Sequence, residues 1–243
     1  MSLNKCEESQ VIARTLKSLE YEAKEQGVTL PSAKLPLPEF LSALKKCGLP
    51  IYSTTFGTFL SGETALSSYD RFEKHDNKPL PVPCTADQAR AFLAVFPLST
   101  LDWPASAYEN SAMGPSFHDP KYQLRGERSA DLLVPLSRWP KDDPERLEIA
   151  RLLLENDGAD PNGHEPVYHC WCYTPSELAY SPLHIAAGTG DKEMVELLLE
   201  FGADKEKKDG NAKTAEDMAR AKSKVDVVKL LEGWHGVGDG SHL

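Results

Sequence analysis

The densest collection of chemically capable side chains is His164-Glu-Pro-Val-Tyr-His169-Cys170-Trp-Cys172-Tyr173. Imidazole and thiolate are the usual ligands of zinc, so His164, His169, Cys170 and Cys172 form a candidate metal set. Their spacing fits poorly: structural zinc sites separate paired ligands by two to four residues, whereas adjacent His169 and Cys170 point different ways on an extended chain. The same residues allow a nucleophilic reading. Cys170 or Cys172 would attack, with His164, His169 or the distant His118 as base. No oxyanion hole or orienting acid accompanies them, and Trp139 is the other residue that such a pocket would recruit. The third reading is packing and recognition. Tyr168, Trp171 and Tyr173 give the segment an aromatic content suited either to burial against a scaffold or to anchoring a partner.

What positions this segment is a repeat. Ser181-Pro-Leu-His-Ile-Ala-Ala187 is followed, after Gly190, by Met194-Val-Glu-Leu-Leu-Leu199 and Phe201-Gly-Ala-Asp204. Ser181 suits a helix N-cap, Pro182 the first helical position, and Gly190 and Gly202 the turns that follow each helix. Thirty-three residues after Ser181 stands Thr214-Ala-Glu-Asp-Met-Ala219, followed by Val225-Asp-Val-Val-Lys-Leu-Leu231. On these residues the chain resembles the ankyrin-repeat family, whose period is about 33 residues. The resemblance implies an all-α helical solenoid with an N-terminal helical, loop-rich extension. It makes His184 an architectural residue that ties its helix to neighbouring backbone. It also implies a scaffold or adaptor that binds another protein through the concave and finger surfaces. On that reading the contacts come from Tyr168, Trp171, Tyr173, Ile185, Thr189, Lys207, Lys208 and Asn211. An enzyme built on the same scaffold around Cys170, Cys172 and His169, or a zinc-stabilised finger, is the alternative.

Upstream, Leu147-Glu-Ile-Ala-Arg-Leu-Leu-Leu154 and Asp157-Gly-Ala-Asp160 repeat the outer helix and its exit. The two Gly-Ala-Asp sequences lie 44 residues apart, eleven more than the period, and the excess is the His/Cys/aromatic insertion. Residues 130–136 are expected as the inner helix of this unit, with 139–144 as an enlarged turn. Downstream, Glu216 and Asp217 stand where the family has Leu and His, as suits a terminal capping repeat. The expected organisation is an extension over 1–129, an array over 130–234 and a tail over 235–243. Within the extension, helices are expected over 7–26 (ending at Gly27), over 39–47 and after an N-cap at Thr85; residues 51–60, rich in Thr, Phe and Tyr, read as a strand or irregular arm. Residues 61–96 read as a degenerate repeat beginning at Gly62, with an unrelated helical cap as the alternative.

The chain has 243 residues and a formal net charge of −10, all of it in residues 81–243, because residues 1–80 carry ten basic and ten acidic side chains. An acidic array argues against general nucleic-acid binding and for a neutral or basic protein partner. Lys205, Lys207, Lys208 and Lys213 form a local basic tip on it. No apolar run approaches a membrane span, no signal-peptide core opens the chain, no cofactor is expected, and a monomer is expected. Five scattered cysteines fit free thiols in a reducing, cytoplasmic compartment. The C-terminal Ser241-His-Leu243 resembles a variant peroxisomal address, which is the alternative location.

Overall fold

The computed structural model describes residues 7–61, 84–101, 133, 136–137, 141, 143–155, 159–163 and 180–235. Nine α-helices and one 3-10 turn, and no β-strand, occur among the described residues. The chain divides into two compact units, Met1–Gly126 and Glu127–Leu243.

In the first unit, α1 (Glu8–Gln26) buries Val11, Ile12, Thr15, Leu19 and Ala23, a single stripe at helical spacing. It stops where Gly27 turns left-handed (φ 65°) and donates its N–H back to the carbonyls of Ala23 and Lys24. Helix α2 (Leu37–Lys46) buries Leu37, Phe40, Leu41 and Leu44. The Glu8 carboxylate accepts from the Leu37 N–H at 3.0 Å and so joins the starts of α1 and α2.

Residues 51–60 correct the expected strand or irregular arm: Ser53–Ser61 is helix α3. Thr and Tyr favour strands weakly, but Phe56, Phe59 and Leu60 fall on one helical face, and all three are buried. Packing against α1 outweighs propensity. The Arg14 guanidinium on α1 donates to the Phe59 and Leu60 carbonyls near the end of α3, two acceptors that a helix terminus leaves open. Helix α4 (Ala86–Val95) begins at the expected cap: Thr85 accepts from the Gln88 N–H, and the Gln88 side chain accepts from the Thr85 N–H. Its Phe92 stacks on Phe56 and tilts against Phe59, each at 4.6 Å between centroids, and meets Phe96 at 5.2 Å. This aromatic cluster is the centre of the first unit. The expected repeat start at Gly62 lies outside the described residues.

In the second unit, α5 (Pro144–Glu155) buries Ile149, Ala150 and Leu153. Just before it, Leu133 and Leu136 are helical and buried; the rest of the expected 130–136 helix lies outside the described residues. Then come two helical pairs, α6 (Pro182–Thr189) with α7 (Lys192–Glu200), and α8 (Ala215–Ala221) with α9 (Val225–Gly233). Helix α6 packs on both α7 and α8, and α7 packs on α5 and α9, so each pair stacks on its neighbour as a solenoid requires.

Small residues permit the close approach of α6 and α8: Ala186, Ala187 and Ala219 have no exposed surface. At Gly188 an added Cβ would lie 2.8 Å from the Met218 sulfur. At the far end of the stack, Arg220 on α8 binds Glu216 at 2.7 Å and also pairs with Glu232 on α9. Charged groups therefore occupy positions where an internal repeat would carry apolar contacts.

Candidate functional site: the finger and inner helix of the repeat array

Three caps set the finger and the helices that carry it. The Ser181 hydroxyl oxygen accepts from the His184 N–H and lies 2.7 Å from His184 Nδ1, to which the Ser181 N–H also donates at 3.3 Å. The other ring nitrogen, Nε2, lies 3.0 Å from the Lys213 carbonyl, 29 residues away at the base of the finger. Both partners dictate the tautomer. A main-chain N–H only donates and a carbonyl only accepts, so Nδ1 carries the lone pair and Nε2 the hydrogen. Burial pushes the imidazole below its ordinary pKa of 6.5; the Lys213 carbonyl and Asp209 oppose that shift, and Lys207 adds to it. His184 is thus the architectural residue expected.

In the next repeat Thr214 and Asp217 make the same box, with a carboxylate in place of imidazole: Asp217 accepts from the Thr214 N–H at 3.0 Å. That bond, first, and the Thr214 hydroxyl hold the carboxyl below its usual range. The third cap, Asp191, accepts from the Met194 N–H at the start of α7 and also faces the fully buried Arg146 of α5. The guanidinium contacts both carboxylate oxygens, the longer contact being 3.3 Å. This pair of buried charges joins one repeat to the next.

The finger, residues 205–213, is internally closed. Buried Asp209 accepts from the N–H groups of Asn211 and Lys213, each at 2.8 Å, and its own N–H donates to the Lys213 carbonyl. Ala212 takes the left-handed conformation at the turn. Two of the four lysines serve as fasteners. Lys205 donates to the Trp234 carbonyl at 2.9 Å and the Leu231 carbonyl at 3.4 Å, closing the end of α9; Lys207 donates to the Asn162 carbonyl. Asn162 in turn bridges the exits of two repeats, donating to the Gly202 carbonyl at 3.1 Å and accepting from the Asp204 N–H. The basic tip is therefore smaller than the lysine count implies: Lys208 and Lys213 are its exposed side chains.

Of the residues expected to contact a partner, Thr189, Lys208 and Asn211 are exposed, and Thr189 returns its hydroxyl to the Ala186 carbonyl. Lys207 is half-buried in the bond just described. Ile185 is buried in the packing of α6, with 9% of its surface exposed. Tyr168, Trp171 and Tyr173 lie outside the described residues. So do the candidate ligands and nucleophiles His164, His169, Cys170 and Cys172, and His118 and Trp139. The structural roles of Asn162, Asp209 and Arg146, and that of Lys205 as a fastener rather than part of a basic tip, are not among the expected ones. The Asp209-Gly210 turn was the one visible signal among them, since the bonds of Arg146 and Asn162 span 45 and 40 residues of chain.

Residues 146–235 match the family described as ankyrin repeats, in three copies, so this stretch is an ankyrin-repeat array. Among curated proteins, the chain is 36% identical over 90 residues to the ARF GTPase-activating protein Git of Drosophila melanogaster, and 33% identical over 90 residues to the probable E3 ubiquitin-protein ligase XBOS34 of Oryza sativa subsp. japonica. Each match covers 37% of this chain but 11% and 16% of the respective relative, so the likeness reaches only a small part of either protein. Ankyrin repeats are protein–protein interaction modules and bind other proteins. No helix among the described residues is long and apolar enough to cross a membrane.

Proposed function

We propose that the array acts as a scaffold or adaptor, holding a partner protein against the finger and the end of its inner helix, with Thr189, Lys208 and Asn211 among the contacts. The observation that carries this reading is the division of labour in the finger. Asp209, Lys205 and Lys207 are committed to internal bonds that fix the loop, while the neighbouring Lys208 side chain is exposed. A loop already ordered loses little conformational entropy when it is gripped. The partner is neutral or basic overall, a reading supported by the concentration of the net −10 charge in residues 81–243 and by the groove between α5 and α7, where Glu148, Glu193, Glu196 and Glu200 outnumber the one cation, Arg151, which pairs with Glu200.

The test is quantitative affinity capture with the full chain. It compares wild type with Thr189→Ala/Lys208→Glu/Asn211→Ala and, as a control on the outer face of α9, Asp226→Ala/Lys229→Ala. Partners that survive the control but fall away with the finger variant support the reading. Partners that ignore the finger variant overturn it.

A further inference from the structure

Of the six asparagines in the chain, Asn162 alone precedes a glycine. Glycine has no Cβ to shield its nitrogen, so the Gly163 amide is the least hindered to reach the side chain of the residue before it. In the closed array both reacting groups are held in other bonds. The Asn162 carboxamide is fixed at its two ends, with Nδ2 donating to the Gly202 carbonyl at 3.1 Å and Oδ1 accepting from the Asp204 N–H at 2.6 Å. The Gly163 N–H, whose proton must leave before the nitrogen can attack, donates to the Asp160 carbonyl at 3.0 Å and closes a four-residue turn with Pro161 in second place. Lys207 holds the Asn162 main-chain carbonyl, and the Asp160 side chain accepts from the Asn162 N–H at 2.8 Å. Asn162 is half-buried, so water reaches it.

We propose that Asn162 is a spontaneous modification site gated by the bridge it forms: when the bridge between the two repeat exits opens, the residue converts to aspartate or isoaspartate, and the converted chain cannot restore the bridge. The Gly163 nitrogen, its proton lost to hydroxide, forms a bond to Asn162 Cγ. The Cγ–Nδ2 bond breaks, ammonia leaves, and a cyclic imide remains. Water then opens the imide on either side. Addition at Cγ gives aspartate; addition at the main-chain carbon gives isoaspartate, in which the chain runs on through Cβ and Cγ. Water is the co-reactant and nothing is oxidised or reduced. Either product puts a carboxylate oxygen where the Nδ2 donor stood and sets it against the Gly202 carbonyl, so that two groups that only accept face each other. The new anion also stands beside Asp160 and Asp204. In isoaspartate the main chain gains a carbon, which displaces the carbonyl that Lys207 holds. Loss of ammonia makes the change run one way, so the site records that the two repeat exits have come apart.

The test is peptide mapping by mass spectrometry of the full chain aged in mildly alkaline buffer, folded and in strong urea. Conversion of Asn162 adds the mass difference between OH and NH2, and an isoaspartyl methyltransferase labels the β-linked product. Each of the three bonds that must open together is worth about a factor of two to ten, so the folded chain should convert at least about tenfold more slowly than the unfolded one. Opening of the bridge is local, so this rate should stay nearly flat in low urea, where global unfolding rises steeply. Asn162→Asp copies one product and should lower hydrogen-exchange protection of residues 202–207 severalfold while residues 192–199 keep theirs. If that variant does not fold, the aged fraction of wild type, separated by its extra negative charge, gives the same reading on a chain that folded before it was modified. Equal rates in folded and unfolded chains would remove the gate. A folded-state rate that climbs in low urea as steeply as global unfolding, or a converted chain with wild-type protection at residues 202–207, would likewise overturn the proposal.

Discussion

The buried ion pair between Arg146 and Asp191 allows a prediction that separates two roles of one side chain. Asp191 caps α7 through the Met194 N–H at 3.2 Å and neutralises a guanidinium with no exposed surface. Serine is nearly as good an N-cap as aspartate, so Asp191→Ser leaves the cap almost intact and changes it by no more than a few tenths of a kcal/mol. It does strand the Arg146 cation. Leaving one buried charge without its partner costs about 3–5 kcal/mol, about a fifth or more of the stability of an ordinary domain. With a urea dependence of about 2 kcal/mol per molar, the unfolding midpoint, followed by far-ultraviolet circular dichroism, should drop by about 2 M. Adding Arg146→Met removes the stranded charge and fills most of its volume. Because a buried pair and an apolar replacement are of similar worth, the double variant should return to within about 1 kcal/mol of wild type. A single variant that loses less than about 1 kcal/mol, or a double variant no more stable than the single, would refute the argument that the pair is desolvated and mutually dependent.

Two further outcomes follow from the same repeats. Gly188→Ala should destabilise by about 1 kcal/mol, since the overpacking against Met218 outweighs the helix-propensity gain of alanine; in a Met218→Ala background the sign should reverse, which a double-mutant cycle by urea unfolding would detect. Asp217 has its carboxyl held below the usual 3.8, so the unfolded state binds more protons in this range, and the contribution of Asp217 is present above 3.8 and lost as pH falls through the lower folded value. Asp217→Asn should therefore flatten the loss of stability in that window, checked by thermal unfolding at pH 5 and pH 3.

How much of the site was visible beforehand depended on how far each interaction reaches along the chain. The caps at Thr85, Ser181 and Thr214, the left-handed stops at Gly27 and Gly190, and the apolar run of α7 are all interactions within a few residues, and periodic spacing exposes them. Helix α3 is hidden in the sequence because its β-branched and aromatic residues carry a strand preference that is weaker than their burial beside α1 and α4. The four lysines of the finger look alike in sequence. Only the positions of the Leu231, Trp234 and Asn162 carbonyls distinguish fasteners from free cations.

The order of residues is enough to specify the repeat. A 33-residue spacing, a Ser-Pro cap and an apolar outer face that one unit cannot bury alone require stacked neighbours. What the tertiary structure decided is which polar groups are structural and which are available. Asp191 is a neutraliser as well as a cap because Arg146 is brought to it from 45 residues away, and Ile185 leaves the surface because α6 is covered on several sides. His184 becomes a junction because the Lys213 carbonyl arrives at its far nitrogen. The physical reason is common to all three. The worth of a polar or charged group depends on the water it loses and the partner it gains, and both are properties of the packed array, not of the chain order.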